Sequence, residues 1–177
     1  GTHEAFELRD KENKNYLGKS VFKAIENING PIAKSLIDID IDDQKKIDKT
    51  LIDLDGTEQK KKLGSNAILA VSMAVCKIAA IEKNVSLYKY LGNSKSHQLP
   101  VPLLNIINGG VHANNNLDIQ EFMIRPDKSK SFSEAMRMSF LVIQNLKSML
   151  DVTNVGDEGG FAPNLESDEE AIKMIIK

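Results

Sequence analysis

Apolar residues first recur at helical spacing at Val21, Ile25 and Ile28, and Asn29-Gly30-Pro31 closes that run with a turn former, a flexible residue and a helix breaker. Ile47, Leu51 and Leu54 form a second stripe of the same period, stopped by Asp55-Gly56. Asn66 stands where an N-cap belongs, and from Ala67 to Ile81 the chain is apolar nearly all round. A helix without a polar face is normally buried on all sides, which is the expectation here. The run falls short of the ~20 apolar residues that cross a bilayer, and Lys77 interrupts it. The first part of the chain is therefore predicted to be mostly helical.

The pattern changes at Gly92-Asn-Ser-Lys-Ser-His-Gln98, a polar stretch ending at Pro100, so residues 1–92 and 93–177 are assigned to separate domains. Beyond it, Val101 to Ile107 reads as a strand with Pro102 near its start, where a missing donor is tolerable. Asp118 to Ile124 and Val152 to Val155 read as two more. Ser131-Phe-Ser-Glu134 has the spacing of a capping box, and Ala135, Met138, Val142 and Leu146 continue as one helical face. Ser167-Asp-Glu-Glu170 repeats that signal before a final helix. Strands alternating with helices predict an α/β fold with parallel packing, either a barrel or a doubly wound sheet, and periodicity does not choose between them.

Composition and charge exclude more than they identify. A chain of 177 residues suffices for one domain and part of another, and for a core that needs no disulfide or metal. A formal charge of −2 gives no general attraction to nucleic acid or to an anionic membrane, and Lys60-Lys61-Lys62 beside a glycine reads as a solvated loop. Cys76 is the sole cysteine and lies in the apolar run, which fits a reducing cytosol. No charged-then-apolar signal segment opens the chain. Gly1 without a methionine, and Lys177 inside a helical pattern, read as cuts at both ends.

Two short segments carry candidate chemistry. One runs Asn105-Ile-Ile-Asn-Gly-Gly-Val-His-Ala-Asn-Asn-Asn-Leu-Asp-Ile-Gln-Glu121, the other Asn154-Val-Gly-Asp-Glu-Gly-Gly160. Both set ionisable side chains on glycine-rich backbone, which lets backbone or ligand approach closely. Glu158, held between glycines after an apolar stretch, is a candidate general acid, because carboxyl groups set close together resist ionising together. Gln120 and Glu121 are neighbours that a regular strand would turn to opposite sides, so both reach one site only at a strand end or a bulge. His112 lies in a loop, where a lone histidine is ordinarily a surface residue, as His3 and His97 are read to be. Two other motifs fail. Asp38-Ile-Asp-Ile-Asp42 begins like a calcium loop, yet Asp43 and Lys49 stand where glycine and glutamate are required. The glycines around Glu158 lack the Gly-Lys-Ser/Thr of a phosphate-binding loop.

Together with Glu4-Ala-Phe-Glu-Leu-Arg-Asp10, Tyr16-Leu-Gly-Lys-Ser-Val21, Ile52-Asp-Leu-Asp-Gly-Thr-Glu58 and Phe161-Ala-Pro-Asn-Leu165, these segments closely resemble enolase over nearly the whole chain. The resemblance implies an α+β N-terminal domain, mostly helical here, followed by the first part of an enolase-type (β/α)8 barrel. It implies reversible dehydration of 2-phosphoglycerate to phosphoenolpyruvate. Glu158 would be the proton donor to the leaving hydroxyl and Glu121 would assist there. Gln120 and His112 would bind substrate, His112 on a loop that closes over it. Asn114 departs from the aspartate frequent in the family two residues after that histidine. The family's Mg²⁺ ligands and base lysine would lie outside residues 1–177, so no metal ligand is assigned to this chain. A homodimer in the cytoplasm is implied, with no nucleic acid and no membrane insertion, and the family also occurs secreted or at the cell surface without a signal peptide. The alternative reading is a truncated, non-catalytic enolase-like protein that binds partners.

Overall fold

The computed structural model describes residues 2–92 and 98–177. The chain divides into two compact units, Gly1–Ser96 and His97–Lys177. The polar stretch chosen as the domain boundary, with His97 inside it, lies largely outside the described residues.

The first unit is helical. Asp10 starts its first helix from a distance: the buried carboxylate accepts from Phe22 N at 2.6 Å, Lys23 N at 3.2 Å and Ser20 Oγ at 2.8 Å. These bonds satisfy donors that the opening turn of α1, Phe22–Asn27, leaves without a helical partner. The helical path does not stop at Asn29-Gly30-Pro31. It widens into a π turn over Ile28–Ile32 and continues as α2, Ala33–Ser35. Proline offers no N–H and its ring crowds the preceding turn, and the wider turn accommodates both.

Helix α3, Gln44–Asp55, follows the spacing of Ile47 and Leu51, both buried, and ends at Gly56 in the left-handed region (φ 68°). Asp43 caps its start by accepting from Lys46 N. At its end, the buried Asp55 carboxylate accepts from Thr57 N, Thr57 Oγ1 and Leu63 N, tying the loop to the helix. The core gathers Ala24, Ile32, Ile47, Leu51, Leu63 and Ala67. Each fully buried leucine there, Leu51 above all, contributes about 1.5–3 kcal/mol.

Helix α4, Ser65–Glu82, corrects two expectations. Asn66 is not its cap, since Gly64 stands at that position. The Asn66 side chain instead accepts from Leu8 N and donates to Leu8 O, each at 3.0 Å, as a strand neighbour would. Nor is α4 buried on all sides. Ala67 and Ala79 face the core, with Ile68, Val71 and Val75 packed against it, while Leu69, Met73, Ile78 and Ile81 are spread over the exposed half of the helix. Burial needs partners on both sides, and α4 packs on one face against α1, α3 and the short α5, Leu87–Leu91. By length and composition alone the helix, at mean hydropathy 1.5, is apolar enough to cross a membrane, which the count from Ala67 to Ile81 did not allow.

Acid should weaken this unit. Burial alone would push the Asp10 carboxyl up, but hydrogen bonds from Ser20, Lys23 and Phe22 outweigh it and hold the group below the usual range. Asp55 is lowered in the same way, burial again being outweighed by bonds from Thr57, Leu63 and Lys62. Carboxylates depressed on folding stabilise fully above their unfolded value of about 3.9, and that contribution is lost as pH falls through the lower folded values. Urea unfolding followed by circular dichroism is expected to show a midpoint that drops below about pH 4, with a shallower drop in Asp55→Ala. A midpoint unchanged between about pH 6 and pH 3 contradicts this.

The second unit begins with β1, Leu104–Asn108, paired antiparallel with β2, Glu121–Ile124. This corrects the expected parallel packing: a link of this length with no α-helix in it returns the chain as a hairpin, whereas a parallel neighbour needs a crossover. Register runs Leu104↔Ile124 and Asn105↔Met123, then Ile107↔Phe122 and Asn108↔Glu121. Ile106 is the extra residue of a bulge, and Ile106, Ile107 and Asn108 are consecutively buried. Val152 to Val155 is no strand. Only Val155 makes a bridge, to Phe161, and Phe161 in turn bridges Ile107 in parallel. Val152 and Val155 are exposed, without a sheet to bury them.

The serine half of each predicted capping box forms: Ser131 Oγ accepts from Glu134 N at the start of α6, Phe132–Met149, and Ser167 Oγ from Glu170 N at the start of α7, Asp168–Ile176. The returning carboxylates of Glu134 and Glu170 accept instead from Lys130 N and Glu166 N, one residue before each cap. The two helices pack together and close a core of Ile106, Ile107, Leu117, Phe122, Leu146, Phe161, Leu165 and Ala171. A mostly helical first unit thus precedes a second in which a two-stranded sheet packs with helices.

Candidate active site

Strand β1 ends in a turn that only glycine can make. A Cβ at Gly109 would stand 2.4 Å from Ile119 O and 2.6 Å from the Leu117 side chain. Gly109 N and Gly110 N donate to Gln120 O and Leu117 O, which folds the intervening loop back on itself and raises His112 on a single 3-10 turn, Gly110–His112.

The second glycine-rich segment lies directly on this loop. Asp157 N donates to His112 O at 2.9 Å, and a Cβ at Gly156 would lie 2.5 Å from that same oxygen. Gly156 N donates to Gly160 O and Gly159 N to Gly156 O, so the segment is a closed turn with Glu158 at its tip. Beyond it, Asn108 N donates to Phe161 O and Phe161 N to Ile106 O, anchoring the return to β1.

These constraints bring three of the four singled-out residues together. One ligating atom from each of His112, Glu121 and Glu158 lies within 4.8 Å of the others. His112 Nδ1 stands 3.7 Å from Glu121 Oε1 and has no hydrogen-bond partner. His112 and Glu121 are partly buried, and Glu158 is exposed. Glu121 comes from the first position of β2. Gln120, just before the strand, is not a member of the trio; its carbonyl accepts from Gly109 N and its side chain lies against Gly110. A cavity of about 510 Å³ lined by Leu146, Met149, Met174 and Ile175 shares no residue with the trio.

The arrangement offers an imidazole and two carboxylates to one small volume. That spacing could hold a cation. The donors are a poor match for Mg²⁺, which takes near-octahedral oxygen ligands and keeps several waters, whereas an imidazole nitrogen suits zinc or another transition metal. An arrangement of this kind is better suited to hydrogen-bonding a hydroxyl and giving it a proton.

Sequence reasoning missed Asn115. Its Nδ2 donates to Asn108 O at 2.8 Å and Pro163 O at 3.0 Å, and its Oδ1 accepts from Leu117 N at 3.2 Å. The one available signal was a run of three asparagines, which reads as polar loop.

Residues 1–91 match the enolase N-terminal domain family, and residues 96–177 the enolase C-terminal TIM barrel domain family. An enolase from Pelagibacter ubique (strain HTCC1062) is 57% identical over 180 residues, covering 99% of this chain and 43% of that protein. The chain thus spans less than half the length of that relative.

Proposed function

The chain belongs to the enolase family, and we propose that it forms part of a lyase that interconverts 2-phosphoglycerate and phosphoenolpyruvate by reversible dehydration. The observation that carries the reading is the convergence of His112, Glu121 and Glu158 from two separate glycine-rich segments. In the dehydrating direction the bond from carbon 2 to hydrogen breaks, its electron pair forms the double bond to carbon 3, and the hydroxyl on carbon 3 departs. Glu158 gives that hydroxyl a proton, so that it leaves as water. Glu121 holds the hydroxyl from the other side, and His112 and Gln120 orient the substrate.

The proton on carbon 2 goes to a separate base, a lysine that the family places beyond Lys177. A base opposed by one or two Mg²⁺ ions is the pattern for which enolase-superfamily sites are themselves the standard case. The donors of the trio suit Mg²⁺ poorly, the family likeness implies that its ligands lie outside residues 1–177, and no step is drawn through it. The proposal includes a domain division after residue 92 and a cytoplasmic homodimer, without nucleic acid or membrane insertion.

The test is an assay of the full-length protein with 2-phosphoglycerate and Mg²⁺, following phosphoenolpyruvate by its ultraviolet absorbance. Formation at a turnover in the ordinary enzyme range of about 1–10³ s⁻¹ is expected. Absence of product from a folded full-length protein overturns the reading in favour of a non-catalytic binding role.

A further inference from the structure

We propose that Asn115 is the positioning residue that sets the separation of His112 from Glu158. The inference rests on the function proposed above.

His112 and Glu158 stand on different loops, and neither loop contains a regular element longer than one turn. Something must hold the two loops in register. One amide side chain reaches all three segments concerned. Its Nδ2 donates both to Asn108 O, at the end of β1, and to Pro163 O, on the return from the Glu158 turn. Its Oδ1 accepts from Leu117 N, closing the His112 loop on itself. Two donors and an acceptor in one rigid plane match two carbonyls and an N–H, and no other side chain of this size supplies that set. His112 O, which accepts from Asp157 N, is the second tie between the same loops. Neighbouring Asn116 also tethers the loop, donating to Leu165 O, but contacts neither Asn108 nor Pro163.

Asn115→Asp keeps the acceptor and removes both donors, setting a carboxylate against two carbonyl oxygens. A misplacement of about 1 Å at a reacting group costs on the order of 10²-fold in rate. Of the two residues whose separation changes, Glu158 is the one assigned to hydroxyl departure and His112 orients substrate, while the base acts at carbon 2 from elsewhere. In the full-length enzyme, Asn115→Asp is therefore expected to lower kcat for dehydration by about 10–100-fold. Deuterium exchange at carbon 2 of 2-phosphoglycerate should stay within about threefold of wild type. Asn116→Ala should change neither rate by more than about twofold.

Exchange and dehydration falling together in Asn115→Asp, or a rate unaffected by it, overturns the proposal. So does an equal loss in Asn116→Ala, which would make the loop's general anchoring the cause. Should Asn115→Asp fail to show a cooperative thermal transition, Asn115→Ala is measured in its place. If neither variant folds, Asn115 is a folding residue and the proposal falls. An inactive wild type overturns the proposed function itself, whereas an active wild type with an unaffected variant overturns only the role of Asn115.

Discussion

Replacing Glu158 by glutamine in the full-length protein is expected to slow dehydration by about 10²–10⁴-fold while sparing proton exchange at carbon 2. That is the usual cost of losing a general acid, and it leaves a slow residual rate still above the uncatalysed background. The amide is nearly isosteric and the position is exposed at the tip of a closed turn, so the fold should survive, as circular dichroism can check. The separation of the two rates is what identifies an acid. If Glu158 acts only on the departing hydroxyl, the base still removes and returns the proton on carbon 2, and deuterium enters the substrate unconverted. A parallel fall in both rates would show that Glu158 is not a dedicated acid, and the assignment of roles would have to be redrawn.

A second large effect concerns the chain of 177 residues assayed by itself. Supplied with 2-phosphoglycerate and Mg²⁺, it is expected to form no phosphoenolpyruvate above the uncatalysed background. The trio accounts for one proton transfer. General acid catalysis contributes about 10²–10⁴-fold, against rate enhancements of about 10⁶-fold and more in enzymes. The remainder requires a proton acceptor at carbon 2 and positive charge beside the developing anion, neither of which His112, Glu121 and Glu158 supply. Turnover comparable to that of an intact enolase would mean that residues 1–177 contain a base and a metal centre unrecognised here.

What the sequence made legible was local. Ser131 and Ser167 cap their helices because each bond spans three residues and depends on nothing distant. Ile47 and Leu51 bury because period alone puts them on one face. Asn66 was misread for the opposite reason: Leu8, 58 positions away, takes both ends of its amide. The one-sided burial of α4 is likewise a matter of neighbours, and an apolar run records what a helix could bury, never what covers it. The antiparallel turn from β1 to β2 had a trace in the sequence, since residues 109–120 hold no helical period, but the wider alternation of strands and helices outweighed it. At the site, His112, Glu121 and Glu158 stood out by residue type and glycine context. Their proximity depends on hydrogen bonds within and between loops, and Asn115, which makes three of these, carries no charge or period to reveal it.

The exposure of Leu69, Met73, Ile78 and Ile81 changes how unfolding of this chain can be followed. Fluorescent dyes such as ANS report partly folded states by lighting up on apolar surface. Here a folded helix already offers such surface, with Lys77 among its apolar neighbours to attract the dye's sulfonate. Bright emission from the native chain would therefore carry no information about loosened packing, and a dye-based melting curve would start high and could fall where most proteins rise. Near-ultraviolet circular dichroism or the tyrosine signal gives the cleaner readout, since neither depends on what sticks to α4.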